Sequence, residues 1–167
     1  MSEFAELSHL DRNWLRRCVE LAREALEDGD EPFGSVLVDA EGRERFADRN
    51  RVSGGDHTMH PEFEIARWAA RNLSESERRQ ATVYTSGEHC PMCAAAHAWV
   101  GLGRIVYASS SAQLAEWHRE WGIPAGPVAT LPVNTIAPSI AVSGPDEELS
   151  KEVKELQARL HGVRHDA

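Results

Sequence analysis

Apolar residues recur at helical spacing near the beginning of the chain. The pattern predicts a helix that is capped by Ser8 or Asp11 and ends near Asp28, where Gly29 follows. The apolar face of this helix carries Leu15, Cys18, Val19, Ala22 and Leu26. A thiol on such a face is expected to be a buried core residue, so Cys18 is assigned a packing role.

The middle of the chain alternates short apolar runs with helical patterns. Strands are predicted at 34–39, 43–48, 81–85, 105–108 and 140–142, and a turn at 40–42 joins the first two. Helices are predicted after His60, after Cys90, at 112–121 and at 146–160, whereas 122–138 is predicted to be irregular. We therefore predict one α/β domain over residues 1–167, a three-layer α/β/α sandwich with a mixed sheet of about five strands and a site at the carboxyl ends of central strands.

A metal-ligand pattern interrupts this alternation. His60 is followed thirty residues later by Cys90, and Cys93 completes a Cys-x-x-Cys. Two thiolates and a neutral imidazole leave one position of a tetrahedral zinc ion (Zn²⁺) open for water, as in catalytic zinc sites. Glu62, two residues after the histidine, then has no ligand duty and is predicted to carry protons, as in zinc deaminases of nucleobases.

Prolines support this assignment. Pro61 follows His60 and Pro91 follows Cys90, and proline is favoured at the first position of a helix. Both ligands are thus predicted to be helix N-caps, so that two positive helix ends point at one place. Such an environment favours metal-bound thiolate.

Other interpretations of the same residues remain open. Cys90 and Cys93 would also suit a redox pair, and His57 is the best candidate for the fourth ligand of a closed structural zinc site. Glu64 competes with Glu62 as proton carrier, although Arg67 three residues later suggests an exposed ion pair.

The chain resembles the cytidine deaminase-like superfamily, on the branch that contains guanine, cytosine and tRNA adenosine deaminases. The stretch 32–38 is similar to the family strand Pro-Phe-Gly-Ala-Val-Leu-Val, and 85–93 is similar to its Thr-x-x-Glu-Pro-Cys-x-x-Cys. Asn50 matches the asparagine that binds the base. Pro61 and His89 depart from the family pattern, and neither departure removes a ligand.

The resemblance implies several substrate contacts. Asn50 would offer a donor and an acceptor to the edge of the ring, and Phe33 would line the pocket. Groups around Glu88 and Cys90 would hold the reacting part of the ring. Trp117 and Trp121, four residues apart on a predicted helix, would close the pocket by stacking, unless they pack in the core or at a dimer contact.

Charge separates the substrate classes. The chain has 18 Lys plus Arg against 27 Asp plus Glu, a formal net charge of −9. Nucleic-acid binders usually show a basic face, so a nucleic-acid partner is not expected. No apolar run is long enough to span a membrane, and the cysteine content offers no disulfide framework, so we expect no membrane partner and a cytoplasmic location.

The function predicted from the sequence is zinc-dependent hydrolytic deamination of a free nucleobase or base-like amino-heterocycle of guanine, cytosine or triazine type. Zinc-bound hydroxide would attack the amino-bearing carbon, with Glu62 shuttling protons until ammonia leaves. The guanine option is weakened because Gln113 stands near where that family would have an acidic residue. The alternatives are a tRNA adenosine deaminase and a non-catalytic zinc-bearing scaffold.

A homodimer is also expected. The resemblance implies active sites near a subunit interface, and the last predicted helix presents Val153, Leu156 and Leu160 at helical spacing. We expect a compact core to leave part of this stripe uncovered.

Overall fold

The computed structural model describes residues 6–164. Its helices are α1 His9–Glu27, α2 Pro61–Asn72, α3 Glu75–Gln80, α4 Pro91–Trp99, α5 Ser111–Glu120, α6 Val133–Ile136 and α7 Glu147–Leu160. Its strands are β1 Gly34–Val38, β2 Glu44–Arg49, β3 Thr82–Gly87, β4 Ile105–Ser109 and β5 Val142–Ser143.

The strands form one mixed sheet in the order β2-β1-β3-β4-β5. β1 is antiparallel to both β2 and β3, whereas β3, β4 and β5 run parallel. The predicted α/β class and five-stranded mixed sheet are confirmed.

Alternation along the strands builds the three layers. Val36 and Tyr84 pack with α1, α5 and α7 on one face of the sheet. Leu37 and Val83 pack with α2 on the opposite face, where α4 also lies against α2. Since side chains on a strand alternate between faces, Ser35 lies on the same side of β1 as Leu37, toward α2. Cys18 is fully buried in the first of these layers, as predicted.

Two stretches differ from the prediction. The region predicted as irregular, 122–138, contains α6, and the short helix α3 was not predicted. α3 has no buried residue, so it lacks the apolar face that a sequence pattern would reveal. Its start is instead marked by Ser74, which forms a capping box with Glu77.

The apolar stripe on the last helix is covered at two of its three positions, so the prediction that part of it would stay uncovered applies only to its end. Val153 and Leu156 are 1% and 2% exposed, because α7 packs against α1 and β4. Leu160 is half-buried. Within residues 6–164 no helix combines the length and hydropathy needed to cross a membrane.

One buried ion pair connects α1 to the sheet. Arg104 donates two hydrogen bonds to the Asp11 carboxylate, at 3.0 and 3.1 Å, and the Tyr84 hydroxyl donates a third at 2.8 Å. Burial alone would raise the pKa of Asp11, but the hydrogen bonds from Arg104, the Ser8 N–H and Tyr84 lower it to about 2. Asp11 is therefore ionised in the folded protein at neutral pH.

We predict that Asp11→Asn lowers the free energy of unfolding at neutral pH by about 2 kcal/mol, the contribution that corresponds to this pKa shift. The folded-state pKa lies below the unfolded-state value, so the contribution is present above about pH 4 and is lost as the pH falls toward about pH 2. Urea unfolding at a series of pH values measures it. The prediction fails if wild type and variant lose stability in parallel over that range.

Candidate metal centre and active site

The residues predicted as N-caps begin two neighbouring helices. His60 precedes α2 and Cys90 precedes α4, both with extended backbone and with proline at the first helical position. Neither side chain caps its own helix, so both are free to bind an ion.

The three predicted ligands converge. The Nδ1 atom of His60 lies 3.6 Å from the sulfur of Cys90 and 3.6 Å from that of Cys93, and the two sulfurs are 3.6 Å apart. Ordinary Zn–S and Zn–N bond lengths in a tetrahedron give edges of about 3.5 to 3.8 Å. The donor set therefore fits zinc in both chemistry and spacing.

No fourth protein ligand completes this cluster in the described part of the chain. His60, Cys90 and Cys93 are the one group of three or more ligating side chains found within residues 6–164. His57 is exposed and outside the cluster. This arrangement matches a catalytic zinc site better than a closed structural one.

The pKa values of the three ligands depend on one another. A hydrogen bond with Cys93 lowers the pKa of the Cys90 thiol to about 4, and contact with His60 adds to the effect. The hydrogen bond with Cys90 in turn raises the pKa of His60 to about 9. The Cys90 contact and burial raise the pKa of Cys93. Because both thiols and the imidazole compete for protons and charge, a bound dication would relieve that competition.

Glu62 is a buried carboxylate beside the cluster. It is 5% exposed, and its Oε1 accepts hydrogen bonds from the hydroxyls of Ser35 and Thr85, each at 2.9 Å. Burial raises the pKa of Glu62, and His60 and Thr85 partly offset the effect. Glu62 lines the cavity described next, whereas Glu64 does not.

A cavity of about 120 Å³ opens over the ligands. Its polar lining includes Asn50, Glu62, Glu88 and Ser111, and its apolar lining includes Phe33, Leu114, Val128 and Leu131. An apolar cavity of roughly 150 Å³ holds a benzene molecule, so the volume is of the order needed for one small ring.

Asn50 is oriented by the backbone. It is 1% exposed, and its Oδ1 accepts from the N–H groups of Val52 at 3.1 Å and Glu31 at 3.3 Å. These two bonds use the acceptor capacity of the amide oxygen. The NH₂ group has no protein acceptor among the described residues, so Asn50 offers the cavity a donor, and not the donor and acceptor that the sequence analysis expected.

Glu88 lines the cavity, and its carboxylate also has a structural role. Its two carboxylate oxygens accept from the N–H of Ser111 at 2.9 Å and the N–H of Val133 at 2.7 Å. Each donor is the first residue of a helix, α5 or α6. Its own N–H is bonded to the carbonyl of Ser109. Glu88 thus connects the metal-binding loop to the cavity wall.

The predicted stacking residue Trp117 does not contact the cavity. It is 7% exposed and packs in the core layer of α1 and α7, with Trp121 partly buried against the same core. The two indole rings lie 6.4 Å apart. Four-residue spacing put them on one helix face, but that face points toward α7, so the prediction of a substrate contact is wrong.

The two departures from the family pattern are both buried. Pro61 is the first residue of α2 and borders the cavity. His89 is 1% exposed and its ring lies edge-on against His97, with ring centroids 5.4 Å apart. Burial, with a smaller effect of His97, holds the pKa of His89 well below its usual value, so its ring is neutral.

Several other cavity residues were not identified from the sequence. Ser111 and Leu114 come from α5, and 128–131 from the stretch before α6. No local motif identifies them, because they are brought to the ligands only by the packing of the C-terminal half. Ser35 had one signal: it stands where the family strand has alanine.

Comparison with known proteins agrees with this geometry. The family model described as the cytidine and deoxycytidylate deaminase zinc-binding region matches residues 8–109. The chain belongs to this deaminase family. It is 32% identical to a probable cytosine deaminase of Schizosaccharomyces pombe over 117 residues. These residues are 70% of this chain and 71% of that protein.

Other relatives have different activities. A tRNA-specific adenosine deaminase of Buchnera aphidicola is 29% identical over 103 residues, which are 62% of this chain and 68% of that protein. The structure of guanine deaminase from Nitrosomonas europaea superposes with a TM-score of 0.67 at 18% identity, covering 97% of this chain and 90% of that chain. At this identity the superposition supports the fold alone. Family membership thus shows a zinc-type deaminase, with cytosine, guanine and tRNA adenosine deaminases among its relatives.

We predict that changing a ligand and changing the proton carrier have separable effects. Cys90→Ala should lose both metal and activity, whereas Glu62→Gln should keep one zinc per chain and lose turnover by about 10³-fold or more. Metal analysis of the purified variants, together with ammonia release, measures both. Stoichiometric zinc in Cys90→Ala would contradict the ligand assignment.

Proposed function

We propose that this protein hydrolytically deaminates a free nucleobase or a base-like amino-heterocycle. The observation that carries the proposal is the buried Glu62 carboxylate beside a three-ligand centre, in a cavity that is also lined by the Asn50 amide. A non-catalytic zinc-bearing scaffold would not need a buried carboxylate at this position, and burying a charged acid destabilises the fold.

The residues divide the chemistry among themselves. His60, Cys90 and Cys93 would hold a zinc ion that would acidify water and so supply the nucleophile. Glu62 takes one proton from the attacking water and passes it to the ring nitrogen. It then takes a second proton from the hydroxyl added to the ring carbon and gives it to the leaving ammonia. The Asn50 NH₂ group donates to a ring carbonyl and holds the ring in register with Glu62.

The Asn50 donor suits rings that carry a carbonyl. Cytosine-type and guanine-type rings each have a carbonyl that is one ring nitrogen away from the amino-bearing carbon, so this contact fits both. A cytosine-type ring is the first candidate, because the probable cytosine deaminase of Schizosaccharomyces pombe is 32% identical to this chain. At the place where guanine deaminases would have an acidic residue, the Gln113 side chain bonds the Ser110 N–H at the start of α5. Guanine-type and triazine-type rings are the second candidates.

A tRNA adenosine deaminase is the alternative activity. Its support is family membership and the open mouth of the cavity, where Val128 is 55% and Leu131 37% exposed. The net charge of −9 opposes it, because a tRNA partner requires replacement of many counterions.

The proposed location is the cytoplasm. Its support is that Cys18, Cys90 and Cys93 form no disulfide bond with one another, as is usual in a reducing compartment.

We predict that Asn50→Asp reduces kcat/KM on the preferred free base by about 5- to 150-fold, the range for one unpaired polar contact of 1–3 kcal/mol. Aspartate keeps an oxygen for the Val52 and Glu31 N–H groups but removes the donor to the ring. Asn50→Ala, which removes both functions, should lose at least as much. An ammonia-release screen over pyrimidines, purines, nucleosides and triazines identifies the base and provides the rates.

The same screen separates the alternatives. A small-molecule enzyme should depend weakly on ionic strength. Inosine forming in tRNA faster than any free base reacts, at a rate that falls steeply with salt, would replace the proposal with the tRNA activity. Full zinc occupancy without ammonia from any substrate would favour the scaffold.

We also propose that the protein is a homodimer, and we assign the contact to α4 because most of the stripe on α7 is covered. Trp99, the last residue of α4, is 89% exposed, and Met92 and Ala95 continue its face toward the metal ligands. Aromatic residues and methionine are enriched at interfaces, and a two-fold contact pairs one such face with itself.

We predict that Trp99→Ser weakens this dimer by at least about 10-fold in Kd, since exposed aromatic anchors contribute most of the binding energy of an interface. Leu10→Ser is the matched control, because Leu10 is 58% exposed on α1. Sedimentation equilibrium measures both. A monomeric wild type at micromolar concentration would refute the dimer.

A further inference from the structure

Ser35 is a buried hydroxyl that faces the proposed proton carrier. It lies on β1 directly opposite Thr85 of β3, and both residues are fully buried. The family strand that this segment resembles has alanine at the position of Ser35. The hydroxyl is thus a feature of this chain that the zinc pattern does not require.

The two hydroxyls and one carboxylate oxygen form a closed triangle. Ser35 Oγ and Thr85 Oγ1 each lie 2.9 Å from Oε1 of Glu62 and 2.8 Å from one another. Thr85 Oγ1 also lies 2.9 Å from the carbonyl oxygen of Gly87. Each hydroxyl has a single hydrogen, so these four contacts share two hydrogen bonds. Both hydroxyls contact the same carboxylate oxygen, and Glu62 lines the cavity.

Holding one oxygen determines the orientation of the other. A glutamate has three rotatable side-chain bonds, and a carboxylate fixed by a single hydrogen bond can still swing about that contact. Contacts from two adjacent strands restrict the swing, because each strand is itself held by backbone hydrogen bonds of the sheet. Preorganisation of this kind removes the need to reorient the group at the moment of reaction.

We propose that Ser35 is a positioning residue which, with Thr85, holds the Glu62 carboxylate through Oε1 and so keeps it in one orientation for proton transfer during deamination. The inference rests on the proposed function, since it assigns Glu62 to proton transfer. Ser35 itself touches neither the substrate nor the metal ligands.

The key variant is Ser35→Ala, which places the family residue at this position and removes one donor without creating a large cavity. We expect kcat to fall about 10-fold, with KM within a factor of about two, because Ser35 does not line the cavity. The zinc content should be unchanged. Ser143→Ala is the matched control: it also removes a buried hydroxyl from the sheet, but that hydroxyl bonds Arg104.

Variants of Thr85 test whether the hydroxyls act together. Thr85→Ser keeps the donor and should retain most of kcat, whereas Thr85→Val has nearly the same shape without the donor and should lower it. In the double variant Ser35→Ala/Thr85→Val the loss should exceed the product of the single losses, because Oε1 then has no partner.

Crystal structures of the zinc-loaded variants give a readout independent of turnover. Glu62 should keep one orientation in wild type and Thr85→Ser, and should take more than one in the double variant. The proposal is overturned if Ser35→Ala retains the wild-type kcat, or if its loss of kcat equals that of Ser143→Ala and follows a loss of thermal stability. A wild type that is inactive on every substrate would refute the proposed function alone. The orientation of Glu62 in the variants would then decide the positioning role, and an unmoved side chain in the double variant would overturn it.

Discussion

The site depends on one geometric constraint: two helices on the same face of the sheet must begin at the same point. α2 and α4 satisfy it because they pack against each other, and because a proline after each ligand starts the helix at once. His60 and Cys90 are then N-cap residues with free side chains, and Cys93 follows one turn later. If either helix began a residue later, its ligand would turn away from the other two.

The same constraint puts Glu62 in an apolar interior. As the second residue of α2 it points back toward the sheet, where a carboxylate without partners would be unstable. The hydroxyls of Ser35 on β1 and Thr85 on β3 supply hydrogen-bond partners to Oε1 of this carboxylate. Burial raises the pKa of the carboxylate, which favours the protonated form that acts as a proton donor.

The cavity wall is tied to the metal loop by Glu88. Its carboxylate bonds the first N–H of α5 and of α6, at the helix ends where a negative charge is favourable. This one residue therefore sets how the C-terminal half closes over the ligands. Ser111, Leu114 and residues 128–131 of that half thereby line the cavity beside the ligands.

Sequence reasoning succeeded where the signal lies in neighbouring residues, and it failed where the signal depends on distant ones. Metal ligands, helix caps and the alternation of strands are encoded within a few neighbouring positions, so His60, Cys90, Cys93, the layers and the mixed sheet were predictable from the sequence. The position of Trp117 was not, because helical spacing shows which residues share a face but not what that face meets. For the same reason the sequence did not show that Val153 and Leu156 are buried, since only the packing of α7 on α1 covers them. The donor role of Asn50, the engagement of Glu88 and the contact of Ser35 with Glu62 join residues 19 to 45 positions apart. Such contacts were decided by the tertiary structure alone, because a side chain's hydrogen-bond partner depends on which elements the fold brings within about 3 Å of it.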